Sequence, residues 1–209
     1  MTVTISVDAM GGDNAPDIVI DGLALSAVRH PDVFFKIFGQ KDKIEKLVQD
    51  KAVLKDRFEI IHADDVVAMD AKPAAILRRG RETSLWKAIT AVSEGEADAI
   101  ISAGNTGALM AMSKLRLRMI EGIDRPAIAS LWPTMKSEAV MLDMGANVEA
   151  NSEQLVEFAV MGAEYAKILF DKKTPSVGLL NVGSEQVKGH DVVKVADSLL
   201  NENKEKIWF

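Results

Sequence analysis

Cysteine is absent from this sequence, which removes disulfides, thiolate metal sites and every thiol nucleophile, so acyl transfer through a cysteine intermediate is excluded. Histidine is scarce. His30, His62 and His190 are the three, and none stands at the spacing of a zinc-binding pair. No metal is expected. There is no apolar run long enough to cross a bilayer and no charged-then-apolar leader at the amino terminus. Positive charge is in deficit, with 25 Lys and Arg against 31 Asp and Glu for a formal charge of -6, so nonspecific nucleic-acid binding lacks support. These absences predict a soluble, cytoplasmic globular protein. No linker or low-complexity stretch divides the 209 residues, which read as a single α/β domain, 1–209. The signatures of dinucleotide redox enzymes, P-loop hydrolases and serine hydrolases are missing too.

What is present is an alternation of short apolar segments with helical patterns. Strands are predicted at Val3 to Val7, Val33 to Phe38, Phe58 to Ile61, Ala99 to Ile101, Ile128 to Leu131, Val140 to Leu142 and Val177 to Leu180. Ile207-Trp208-Phe209 reads as the opening of another. Between them, helices are predicted from the first turn at Pro16 to about Val28, around Ile44 to Val48, from Ser84 to Glu94, from Gly107 to Ile120 and from Val192 to Leu200. Asn151 and Gln154 stand at the spacing of a capping pair, opening a further helix whose face carries Leu155, Ala159, Ala163 and Ala166. Apolar strands separated by helices imply a parallel sheet covered on both faces, with ligands at the carboxyl rim.

Four glycine-bearing turns follow the apolar segments: Asp8-Ala9-Met10-Gly11-Gly12-Asp13, Ser102-Ala103-Gly104-Asn105-Thr106-Gly107, Asp143-Met144-Gly145-Ala146-Asn147 and Asn181-Val182-Gly183-Ser184. On a parallel sheet all four lie along one rim. Glycine lets the backbone approach a ligand closely, and amides at helix starts donate to an anion. A phosphate-sized or carboxylate-bearing substrate is the reading, although any one such turn alone is explained by tight αβ connection.

Asp8-Ala9-Met10-Gly11-Gly12-Asp13-Asn14-Ala15-Pro16 resembles the amino-terminal signature of the PlsX phosphate acyltransferases. Ile101 to Leu109, Gly122-Ile123-Asp124-Arg125-Pro126-Ala127, Leu142 to Asn147 and Val177 to Gly183 are similar to the family in the same order. The resemblance implies a three-layer α/β/α fold with a mostly parallel sheet, like that of phosphotransacetylases and isocitrate dehydrogenases. It implies a homodimer that moves a fatty acyl group from acyl carrier protein to inorganic phosphate. The acyl phosphate would feed a downstream glycerol-3-phosphate acyltransferase in phospholipid synthesis. The setting is cytoplasmic, with peripheral membrane association, and no cofactor is required. Family members continue further, so the expectation is a chain truncated at its carboxyl end, poorly soluble or inactive but retaining most of the phosphate rim. The alternatives are a noncatalytic phosphate-binding remnant and a phosphotransacetylase-like transfer from a coenzyme A thioester.

Phosphate is already a nucleophile, so attack on a thioester needs orientation and charge management more than an enzyme nucleophile. The candidate substrate-binding residues are Asp8, Gly11, Gly12, Asp13, Gly104, Asn105, Thr106, Gly107, Asn147, Gly183 and Ser184. Beside a phosphate the Asp8 and Asp13 carboxylates would repel it, so holding the first turn through backbone amides is their expected work, with orientation of a lysine as the second possibility. In the family the lysine of the loop after the last turn is associated with catalysis, which makes Lys188 the candidate donor to the oxyanion. His190 stands where family members more usually carry Asn. Arg78, Arg79 and Arg81 suggest docking of the acidic carrier protein, while Lys114, Arg116 and Arg118 read equally as a solvated helix face. Asp64, Asp65 and Asp70 read as solvated surface, Trp86 and Trp132 as core or dimer residues. Met10, Met110, Met112, Met141 and Met144 are candidates for an acyl channel, or simply for packing.

Overall fold

The structure, a computed structural model, describes residues 2–71, 76, 80–183 and 188–202. The chain forms two compact units, Met1–Arg118 and Met119–Phe209.

In the first unit β1 (Val3–Asp8), β2 (Val33–Gly39), β3 (Phe58–His62) and β4 (Ala99–Ser102) make an all-parallel sheet of order β3-β2-β1-β4. Strand alternation divides the side chains between two faces. Val7, Phe35 and Ile37 pack with Ile20, Leu23 and Ala27 of α1 (Asp17–Arg29) and Ile44 and Val48 of α2 (Lys41–Val48). Phe38 turns the other way, onto Ala88 and Ala91 of α3 (Ser84–Ser93). Each large apolar side chain fully buried here, such as Phe35 or Ile37, contributes about 1.5–3 kcal/mol. Ser6 also faces α3, and its buried hydroxyl donates to the Ala88 carbonyl at 2.8 Å. A small residue there lets the helix backbone lie directly on the sheet.

The order of the strands has a consequence for function. From β1 the chain steps outward to β2 and β3, then returns to the far side of β1 to form β4. The direction of winding therefore reverses between β1 and β4, and ligands of open parallel sheets bind outside the carboxyl ends at such a switch point. Helix α4 (Thr106–Leu117) leaves from the end of β4. It was expected to reach Ile120 but ends at Leu117, where Arg118 takes a φ of 68°.

The second unit departs further from expectation. Its strands, β5 (Ala129–Pro133) and β6 (Glu138–Leu142), pair antiparallel with Ala129 opposite Leu142, not as members of a parallel sheet. The reason is the short connection through Thr134 and Ser137, since parallel neighbours need a crossover of a dozen residues or more. Thr134 closes it, its hydroxyl donating to the Ser137 carbonyl at 2.6 Å. Val177 to Leu180, expected as a strand, is outside any sheet in this structure. Continuous apolar sequence alone does not make a strand where no neighbour supplies a ladder. The long helix is as predicted. In α5 (Ser152–Phe170) Asn151 Oδ1 accepts from the Gln154 amide at 2.8 Å and Gln154 Oε1 accepts from the Asn151 amide at 3.1 Å. Phe158, Ala159, Ala163 and Ala166 are its buried face, and α6 (Asp191–Glu202) adds Ala196 and Leu200 to the buried apolar residues. Ile207-Trp208-Phe209 lies outside the described residues.

Candidate functional site

Parallel register places the last residue of β1, Asp8, directly beside the last residue of β4, Ser102. The carboxylate of Asp8 is buried, and both of its oxygens accept hydrogen bonds. Its Oδ1 accepts from the Ser84 hydroxyl at 2.6 Å and, more weakly, from the Met10 amide at 3.3 Å. Its Oδ2 accepts from the Ser102 hydroxyl at 2.8 Å, while Ser102 Oγ itself accepts from the Gly104 amide at 3.1 Å. Asp8 thus holds its turn, as the sequence suggested, and in addition ties it to β4 and to the first residue of α3. Ser84 was missed as a site residue. The sequence offered only its place at a helix start.

This clamp draws the first two glycine turns together. A β-carbon on Gly11 would lie 2.8 Å from the Gly104 nitrogen and 2.9 Å from its Cα, and one on Gly104 would lie 3.0 Å from the Gly11 Cα. Neither position has room for a side chain, which is the physical reason for glycine at both. Gly12 adopts a φ of 107°, a left-handed value that side chains disfavour. Asp13, in the same turn, is exposed.

At the other turn, Asn105 caps α4 by accepting from the Ala108 amide at 2.9 Å, and its Nδ2 donates to the carbonyls of Met69 at 2.8 Å and Ala71 at 3.1 Å. Its side chain is therefore occupied in holding the neighbouring loop. Thr106 and Gly107 open the helix and are exposed. Their amides belong to the group that an α-helix leaves without internal partners, and among the described residues nothing accepts from them.

The third turn follows β6 in the second unit. Asp143 Oδ1 accepts from the amides of Ile128 at 2.8 Å and Ala146 at 3.1 Å, and Oδ2 from the Asn147 amide at 2.7 Å and the Asn147 side chain at 3.0 Å. Burial pushes this carboxyl up, but the hydrogen bonds from Ile128, Asn147 and Ala146 outweigh it and hold the group below the usual carboxylate range. Asn147 Nδ2 also donates to the Pro126 carbonyl at 3.1 Å. Both of its amide protons serve the turn. Asp143 thus repeats what Asp8 does, a carboxylate at a strand end gathering the turn that follows.

The fourth turn is brought to the loop of Lys188. Asn181 Nδ2 donates to the Lys188 carbonyl at 3.3 Å, and Gly189, with a φ of 89°, lies against the Asn181 side chain. Lys188 and His190 are exposed and Gly183 is half-buried. Ser184 lies outside the described residues, as do Arg78 and Arg79.

Arg81 is exposed and lines a shallow cleft of about 260 Å³ with Trp86, Lys87 and Thr90. Lys87 pairs with Glu82 at 3.0 Å and Arg116 with Glu94 at 2.7 Å. In the acidic loop Asp64 meets the ring of His62 at 2.9 Å. Of the methionines, Met112 is buried in the core against Leu85 and Ile89, and Met10 fills space beside Gly39 and Ile44. Met141 lines a cavity of about 560 Å³ in the second unit, between β6, the small-residue face of α5 and the segment from Pro175 to Leu180. Trp86 packs against the core and Trp132 is half-exposed on β5. No described helix is long and apolar enough to cross a membrane.

Comparison with known proteins gives this arrangement a context. Two solved phosphotransacetylases share the fold at low sequence identity. The EutD phosphotransacetylase from Staphylococcus aureus superposes with a TM-score of 0.66 at 18% identity, covering 99% of this chain and 66% of its own. A phosphotransacetylase from Streptococcus pyogenes gives 0.65 at 21%, covering 96% and 66%. Sequence relatives are nearer. The phosphate acyltransferase of Paramagnetospirillum magneticum is 52% identical over 207 residues, 99% of this chain and 59% of that protein. That of Rhodospirillum rubrum is 50% identical over 208 residues, 100% and 60%. The chain thus spans about three fifths of the length of these relatives. The first two glycine turns stand at the ends of parallel strands, whereas the third follows an antiparallel strand and the fourth a segment outside any sheet, so the expected single rim is not formed by all four. The family profile described as fatty acid synthesis protein matches residues 3–209, and the chain belongs to this family of phosphate acyltransferase relatives.

Proposed function

We propose that the chain carries the phosphate-holding part of an acyltransferase that moves a fatty acyl group from acyl carrier protein to inorganic phosphate. One observation carries the reading: Gly11 and Gly104 meet at the switch point of the sheet, with half-buried Gly12 and the exposed helix start at Thr106 and Gly107 around them. Amides there suit an oxyanion, each charged hydrogen bond contributing about 1.5–3 kcal/mol. The Asp8 carboxylate is engaged by two serine hydroxyls and holds the turns rather than the ligand.

In the reaction a phosphate oxygen attacks the thioester carbonyl carbon, the carbon–sulfur bond breaks, and the carrier leaves as a thiolate that takes up a proton. Lys188 is the proposed donor to the oxyanion that forms on the way. The backbone of the Asn147 and Gly183 turns supports substrate in the second unit, since the Asn147 side chain is spent on Asp143 and Pro126. The cavity beside Met141, lined by both apolar and polar residues, falls within the range of small-molecule sites, about 300–1,000 Å³, and would receive the acyl chain along its apolar side. Arg81, with Arg78 and Arg79, is proposed to meet the acidic carrier. A cytoplasmic homodimer touching the membrane periphery, passing acyl phosphate to a glycerol-3-phosphate acyltransferase, completes the reading.

Calorimetric titration of the chain with inorganic phosphate, followed by acyl-phosphate assays with carrier-protein and coenzyme A thioesters, tests it. Phosphate binding and a preference for the carrier-protein donor are expected. Equal or better use of the coenzyme A thioester would instead favour a phosphotransacetylase-like activity, and phosphate binding without turnover a noncatalytic remnant.

A further inference from the structure

Ser84 and Ser102 stand behind the glycine turns, on different elements, and both aim their hydroxyls at one buried carboxylate. The Ser84 to Asp8 distance of 2.6 Å is that of a short hydroxyl-to-carboxylate bond. Ser84 is itself 1% exposed and Asp8 3%, so water does not substitute for either partner. The chain of bonds runs from Ser84 through Asp8 to Ser102 and on to the Gly104 amide. It therefore links the start of α3, the end of β1 and the end of β4. Two physical consequences follow. Both carboxylate oxygens accept hydroxyl protons from the protein, which fixes the orientation of the Asp8 side chain at the turns. The Gly11 to Gly104 spacing is also fixed, because Asp8 Oδ2 lies 2.6 Å from where a Gly11 β-carbon would be and 3.7 Å from a Gly104 β-carbon.

We propose that Ser84 and Ser102 are positioning residues for the anion site: acting through Asp8, they hold the two glycine turns at the spacing that binds inorganic phosphate, without touching it. The proposal rests on the phosphate-binding reading above. Its test is calorimetric phosphate affinity of folded Ser84→Ala and Ser102→Ala chains, alone and combined with Asp8→Ala. Each single alanine variant is expected to bind phosphate about tenfold more weakly, the equivalent of one lost hydrogen bond. In the Asp8→Ala background the serine substitutions add no further loss, because the acceptor they share is gone. Ser102→Thr, which keeps the hydroxyl, binds as the parent does. Where an alanine variant does not fold, Ser84→Cys or Ser102→Cys, close in size but a weak donor, carries the same expected loss.

Variants that fold less stably yet bind phosphate with the parent's affinity would overturn the proposal and leave the phosphate reading standing. Full additivity with Asp8→Ala would overturn it also. Absence of phosphate binding by the parent chain itself removes the phosphate reading, and the positioning role with it.

Discussion

Gly11 and Gly104, 93 positions apart in sequence, approach so closely that a β-carbon on the first would sit 2.8 Å from the backbone nitrogen of the second. Backbone, not a flexible side chain, blocks that volume, so it has no cheap way to yield. Gly11→Ala is expected to destabilise the fold by about 1–3 kcal/mol, the usual cost of overpacking, and to abolish phosphate binding. Gly22 is the control. It lies inside α1 with open space around its Cα, and Gly22→Ala is expected to stabilise by about 0.5–1 kcal/mol. Urea unfolding measures both, and equal shifts at the two sites would refute the argument.

Acid should weaken the second unit through Asp143. Its folded carboxyl titrates below the ordinary value, so the unfolded chain takes up the proton first. The stabilisation is complete above the unfolded pKa of about 3.9 and is lost as pH falls through the lower folded value. Asp143→Asn should therefore be less stable than the parent at neutral pH, with the gap narrowing towards about pH 3. A gap that stays constant over that range would exclude the linkage.

The capping box of α5 predicts a simpler effect. Asn151→Ala removes the acceptor for the Gln154 amide and is expected to cost about 1 kcal/mol. Asn151→Ser should recover most of it. Thermal unfolding followed by circular dichroism distinguishes the two, and identical midpoints for parent and alanine variant would show the cap to be idle.

Lys188→Ala addresses the proposed chemistry. Loss of one oxyanion donor typically lowers turnover by about 10²–10³, while phosphate affinity in the first unit should persist. Single-turnover acyl transfer together with phosphate titration reads both quantities. Unchanged turnover would remove Lys188 from the reaction.

Much of the first unit was legible beforehand, because the signals are local. β1 to β4 are continuous apolar segments of strand length, and α3 begins at a Thr83 whose hydroxyl caps the Trp86 amide at 3.2 Å. The same reasoning failed for Val177 to Leu180 and for the direction of β5 and β6. Apolar runs report burial, whereas pairing direction depends on connection length and on which neighbour is available.

The site shows the same division. Sequence alone determined that the first two glycine turns follow parallel strands, that cysteine chemistry is excluded and that the residues of the first turn belong to a phosphate acyltransferase pattern. Only the tertiary structure decided that Asn105 and Asn147 spend their side chains on the protein itself, and that Ser84 reaches Asp8 from 76 residues away. Hydrogen bonds between distant elements leave no periodicity or motif in the chain. They exist because the parallel register sets the ends of β1 and β4 side by side and α3 starts where its first hydroxyl meets the carboxylate.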